Sequence, residues 1–184
     1  MASESKEQQL LKLILENSPV KEWHFEELLR STTMTRAALS RWLRRYRAER
    51  LLTHHKPRNS FPYFTVGSDN PVYASKKRIY ALEQLYESGL IAHLLGLKRA
   101  KTVIVFGSMA KGDWHKDSDI DLFIFGDGNG LDKAHYENKL GRSIEVHCFR
   151  NKSELKAVKT GLIKNIINGH VIKGEIQDIA EVAA

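Results

Sequence analysis

Residues 102–125 read TVIVFGSMAKGDWHKDSDIDLFIF. Thr102-Val103-Ile104-Val105-Phe106 is a short apolar run with the profile of a buried strand. It ends in Gly107-Ser108. Lys111-Gly112-Asp113 follows, then Asp117-Ser118-Asp119-Ile120-Asp121-Leu122 and the apolar Phe123-Ile124-Phe125. Ten residues separate Ser108 from Asp119. Asp119 and Asp121 stand at i and i+2 where a strand begins, so both carboxylates are expected on one face, with Ile120 and Leu122 in the core. Two adjacent carboxylates repel unless a cation sits between them. A hard dication with oxygen ligands, Mg²⁺, meets that need. A Gly-Ser turn lets backbone N–H groups and a hydroxyl approach an anion closely. Phosphate beside a dicarboxylate metal site is the chemistry of a nucleotide-handling centre.

The stretch GSMAKGDWHKDSDIDLFIF resembles the signature of the DNA polymerase β-like nucleotidyltransferase superfamily, Gly-Ser, ten residues, then Asp-x-Asp. It is most similar to the minimal nucleotidyltransferases of archaea and bacteria, which include antitoxin partners of HEPN toxins. Gly107, Ser108, Asp119 and Asp121 match the pattern residue for residue, and the resemblance covers about residues 98–175.

The family requires a third carboxylate on a neighbouring strand. Glu145 is the candidate, in Ser143-Ile144-Glu145-Val146-His147-Cys148-Phe149. Alternation puts Ser143, Glu145 and His147 on one face and Ile144, Val146 and Cys148 on the other. Many relatives carry Asp at this place. The resemblance implies that Gly107 and Ser108 hold the β- and γ-phosphates of an NTP, with ATP the expected nucleotide. It implies two Mg²⁺ ions on Asp119, Asp121 and Glu145, and Glu145 helping to deprotonate an acceptor hydroxyl. Lys111 offsets phosphate charge; many relatives have Arg there, which binds phosphate in a different geometry. Trp114 and His115 either line the nucleotide site or pack on the domain. His147 contacts phosphate or metal, or is a satisfied sheet histidine. Cys148 is expected to face the core.

Upstream, three helices are expected. Residues 6–17 carry Leu10, Leu11, Ile14 and Leu15 at helical spacing; His24 to Arg30 buries Phe25, Leu28 and Leu29; Arg36 to Glu49 buries Leu39, Trp42, Leu43 and Tyr46. Ser31 to Thr35 offers hydroxyl caps for the third. Residues 51–55 and 63–66 read as strands of a hairpin with a basic tip. This order resembles a winged helix-turn-helix domain over about residues 5–68, a domain that contacts nucleic acid or docks proteins. The resemblance implies a third helix in a major groove and a wing near the backbone. Arg36, Ser40, Arg41, Arg44 and Arg47, with Lys56 and Arg58 on the hairpin, are the candidate nucleic-acid contacts.

The chain has 184 residues and a net charge of +7. Between Arg36 and Arg58 lie eight Lys or Arg against Glu49 alone, so this window carries a charge equal to the whole excess. Such a cluster attracts a polyanion. A single cysteine excludes an internal disulfide framework and a multi-cysteine zinc site. No apolar run nears the ~18 residues that span a bilayer, and the N-terminus shows no signal-peptide pattern. No membrane association and a cytoplasmic location are the expectation.

The expected architecture is α+β: a winged helix-turn-helix over 1–70, then a nucleotidyltransferase domain over 71–184 with a small mixed sheet and helices on one side. The second domain opens with a helix to about Glu87 that packs through Ile79, Leu82, Leu85 and Tyr86. Beyond residue 151, a helix or two present Leu162, Ile163, Ile166 and Ile167, ahead of Val171-Ile172. Three functions are expected to compete. One is a Mg²⁺-dependent nucleotidyltransferase recruited by its N-terminal domain. The second is a DNA-binding regulator with a nucleotide-sensing domain. The third is an antitoxin-type partner of a HEPN toxin.

Overall fold

A computed structural model describes residues 5–67 and 69–180. Contacts divide the chain into two compact units, Met1–Lys76 and Lys77–Ala184.

The first unit begins with α1 (Lys6–Glu16), whose N-terminus is closed by a reciprocal pair. The Gln8 N–H donates to Ser5 Oγ at 3.1 Å and the Ser5 N–H to Gln8 Oε1 at 2.8 Å, which satisfies two otherwise orphaned donors. Then come α2 (Phe25–Arg30) and α3 (Arg36–Ala48), the latter capped by Thr35, whose Oγ1 accepts from the Ala38 N–H. Strands β1 (Leu52–His55) and β2 (Tyr63–Val66) pair antiparallel, and Trp23 adds a bridge to Phe64. Leu10, Ile14, Leu28, Leu39, Leu43 and Tyr46 form the core between the helices. Trp42, Phe25 and Leu29 are only half-buried, at the rim of that core. Arg50 ends α3 with φ 57°, a left-handed conformation unusual for a side-chain-bearing residue.

Helix α4 (Pro71–Glu87) crosses from the first unit into the second. Asn70 caps it, accepting from the Val72 N–H at 3.0 Å. Its buried stripe is Tyr73, Lys77, Tyr80, Ala81 and Leu85, whereas Ile79 and Tyr86 are exposed. The expected packing face is therefore rotated. The reason is Lys77, a cation on the inner face whose aliphatic stem fills core space.

The second unit continues with α5 (Leu90–Leu95), β3 (Ala100–Phe106), α6 (Gly107–Lys111), β4 (Ile120–Gly126) and α7 (Lys133–Leu140). β5 (Ile144–Phe149), α8 (Lys152–Lys156), α9 (Thr160–Ile167), β6 (His170–Lys173) and α10 (Gln177–Ala180) complete it. The sheet order is β5-β4-β3-β6, with β4/β5 parallel and the other pairs antiparallel. Ile104, Phe106, Phe123 and Phe125 pack against Leu155, Ile163, Ile166 and Ile179 from the C-terminal helices. Val103, Val105, Leu122 and Ile124, which alternate onto the other face, are equally buried. The sheet is thus covered on both faces, not on one. The cover stops at edge strand β5: Cys148 is exposed there rather than in the core.

Candidate active site

The site is built where β3 hands over to α6 and where β4 and β5 begin. Parallel pairing puts Asp121 opposite Glu145 and Phe123 opposite His147. Antiparallel pairing puts Phe106 opposite Asp121. Asp121, Glu145 and His147 therefore share a face, and a carboxylate oxygen of each acid and a ring nitrogen of the histidine all lie within 4.8 Å of one another. Two ligands across one ion, each at ~2.1–2.2 Å, stand about 4.3 Å apart. The spacing and the donor chemistry both fit a single divalent cation.

Gly107 makes room for this group. Its φ is +69°, and a Cβ built on it would fall 1.9 Å from Asp121 Oδ2. No side chain at position 107 is compatible with that carboxylate where it stands. Burial pushes the Asp121 carboxyl above the usual range, and the Glu145 charge adds to it. His147 and Lys111 oppose the rise, while Asp119 reinforces it. A cation placed here would relieve repulsion that the fold itself imposes.

Asp119 is exposed and precedes the first residue of β4. Its charge reaches Asp121, but it is not one of the three groups within 4.8 Å. Ser108 is half-buried in the first turn of α6, and its carbonyl accepts from the Gly112 and Asp113 N–H groups. Lys111 is exposed at the end of that helix.

Trp114 is buried and packs on the domain. Its ring stacks on Tyr80 at 6.0 Å, its Nε1 donates to the Lys77 carbonyl at 3.2 Å, and Lys77 Nζ donates back to the Trp114 carbonyl. Burial lowers the Lys77 ammonium to about 8. His115 is exposed, with its carbonyl accepting from Arg142. The sequence reading missed the Lys77–Trp114 pair. Its signal was a lysine at helical spacing from Tyr73, Tyr80 and Ala81.

In the first unit, Arg44 and Arg47 line a groove of about 870 Å³ with Arg50, Thr53, His54 and Asn70. Burial, then the nearby Arg47 and Lys56 charges, lower the His54 imidazole. Arg41, Lys56 and Arg58 are exposed, and Ser40 is half-buried; none of them lines this groove. Arg36 is held by Glu26 at 2.7 Å, with both side chains exposed. The arginine face of α3 is therefore divided, with one member neutralised and two facing the groove.

The family model described as "Nucleotidyltransferase domain" matches residues 91–173. That span holds Gly107, Ser108, Asp119, Asp121, Glu145 and His147. No curated protein matches the sequence. Among solved structures, a toxin–antitoxin complex with AMP-PNP is 17% identical, with a TM-score of 0.35, covering 58% of this chain and 80% of that one. A mutant of the MntA-HpeT toxin–antitoxin is also 17% identical, with a TM-score of 0.34 and the same coverage. A second mutant of it is 16% identical, with a TM-score of 0.33, covering 57% of this chain and 78% of that one. Residues 91–173, with the whole acidic site inside them, are the part of the chain that matches the nucleotidyltransferase domain model.

Proposed function

We propose that the chain transfers a nucleoside monophosphate from an NTP, with ATP the expected donor, to a hydroxyl acceptor. The observation that carries this reading is the pairing of Asp121 with Glu145 across parallel strands, beside a glycine whose missing Cβ leaves their space open. Asp119, Asp121 and Glu145 would hold the divalent cations, Mg²⁺ in the first instance. When bound, the metal supplies charge neutralisation for the triphosphate and its leaving group. The Ser108 hydroxyl and the backbone of the Gly107-Ser108 turn orient the β- and γ-phosphates, and Lys111 offsets their charge. Glu145 takes the proton of the acceptor hydroxyl. The acceptor oxygen then bonds to the α-phosphorus, the bond to the β-phosphate bridge breaks, and pyrophosphate leaves with that electron pair.

We infer a recruiting role for the first unit, as a winged helix-turn-helix that binds nucleic acid. The groove between Arg44, Arg47 and Arg50 supports this: three guanidinium groups concentrated on one concavity suit a phosphate backbone.

The test is calorimetric titration of each NTP with and without Mg²⁺, on the wild type and on Asp119→Ala/Asp121→Ala. Metal-dependent binding that the double variant loses is the expected result. Binding of no NTP by the wild type would overturn the transferase reading.

A further inference from the structure

His147 has no place in the Gly-Ser…Asp-x-Asp pattern, yet it stands among the acids. It lies one rung further along β5 than Glu145 on the same face, and its Nε2 is 3.2 Å from Glu145 Oε1. The side chain is only 24% exposed, against 59% for Glu145. Its ring packs on Phe106, centroid to centroid 5.4 Å. The imidazole is thus packed on an apolar neighbour while its Nε2 lies beside the Glu145 carboxylate. A ring fixed by packing loses little further freedom when it ligates an ion.

We propose that His147 is a direct ligand of the divalent cation in this site and sets its metal preference towards a first-row transition ion such as Mn²⁺ over Mg²⁺. This rests on the reading of Asp121 and Glu145 as metal ligands made above. Mg²⁺ is a hard ion that favours oxygen and sheds water reluctantly. An imidazole nitrogen favours ions further along the divalent series, starting from Mn²⁺. A pure carboxylate site gives up little by accepting Mg²⁺. A site with one fixed nitrogen among two carboxylates leaves that nitrogen unsatisfied, or forces an unfavourable Mg–N bond. The phosphates of a bound nucleotide add only oxygens, so the discrimination remains with His147.

The experiment uses the full chain with MnCl₂ and MgCl₂ as probes. Pulsed electron paramagnetic resonance reads ¹⁴N modulation on bound Mn²⁺, and calorimetry gives the Mn²⁺ to Mg²⁺ affinity ratio. Nitrogen modulation is expected in the wild type and its loss in His147→Ala and His147→Asp. The affinity ratio should fall about tenfold or more in both variants, and His147→Asp should bind Mg²⁺ at least as well as the wild type. Bound Mn²⁺ without nitrogen modulation in the wild type overturns the inference and leaves the transferase reading standing; this arm needs no variant to fold. Modulation that persists in His147→Ala also overturns it. A wild type that binds neither ion overturns both.

Discussion

Asp121 and Glu145 are register partners in the parallel β4–β5 ladder, and Gly107 is the residue whose bare Cα faces the first of them. The two acids come from strands separated by α7, so their meeting is a product of pairing and not of sequence proximity. In-register parallel pairing puts side chains of the two strands side by side on one face, and the cost of crowding charge there is carried by the rest of the sheet.

Gly107→Ala should disable the site while leaving every proposed carboxylate ligand in the sequence. A Cβ there meets Asp121 Oδ2 at 1.9 Å, and φ +69° is a left-handed conformation. The backbone conformation alone costs about 1–2 kcal/mol for a residue with a Cβ. The expected result is loss of metal-dependent NTP binding by calorimetry, with a melting temperature lower by several degrees. Unchanged binding would mean that the Asp121 carboxylate is not needed where it stands.

Lys77 should make the second unit more stable in mild alkali. Its ammonium falls from 10.5 to about 8 because burial disfavours the charge. Between those values the unfolded chain holds more protons than the folded one, so stability rises with pH from about 8 to 10.5. Below about 8 the penalty is present in full. Melting curves of wild type and Lys77→Met at pH 7 and pH 10 should show the balance between them shift towards the wild type at pH 10. Parallel behaviour at both pH values would contradict the burial of a charged amine.

Arg44→Ala/Arg47→Ala should weaken duplex DNA binding at every sequence. Removing these two proposed phosphate contacts should lower the slope of log affinity against log salt by about 2. Fluorescence anisotropy over a salt series reads it. Arg36→Ala should change the slope less, because Glu26 already neutralises that guanidinium.

Arg50→Gly offers a separation of stability from charge. Glycine accepts φ 57° freely, and relief of about 1 kcal/mol is offset in part by the entropy of a freer unfolded chain. The melting temperature of the first unit should hold or rise while DNA affinity falls. A loss of both would show that the Arg50 side chain supports the fold.

The chemistry-bearing strands were legible because their signals are local. Val103 to Phe106 is uniformly apolar since it pairs on both sides and is covered on both faces, and Gly107 stands where no other residue fits. The placement of Ile79 and Tyr86 was not legible, because helical periodicity counts Lys77 as polar and cannot register an ammonium buried over the Trp114 ring. Cys148 misled for a related reason: alternation assigns a face, but only the sheet order reveals that β5 is an edge where the cover ends. His147 was readable as a neighbour of Glu145 on the same face. Its proximity to Asp121 depends on the parallel register, which periodicity does not encode.

Trp114 stands on Lys77 and Tyr80, and Thr102 Oγ1 donates at 2.6 Å to Asp178. All three partners lie outside residues 91–173. A fragment trimmed to that span would lay bare a tryptophan at one end. At the other it would strand a fully buried hydroxyl and uncover the core that Ile179 closes. The smallest piece that retains these partners runs from Lys77 to at least Ile179, so an expression boundary drawn from sequence likeness alone would cut through the foundations of the sheet it was meant to isolate.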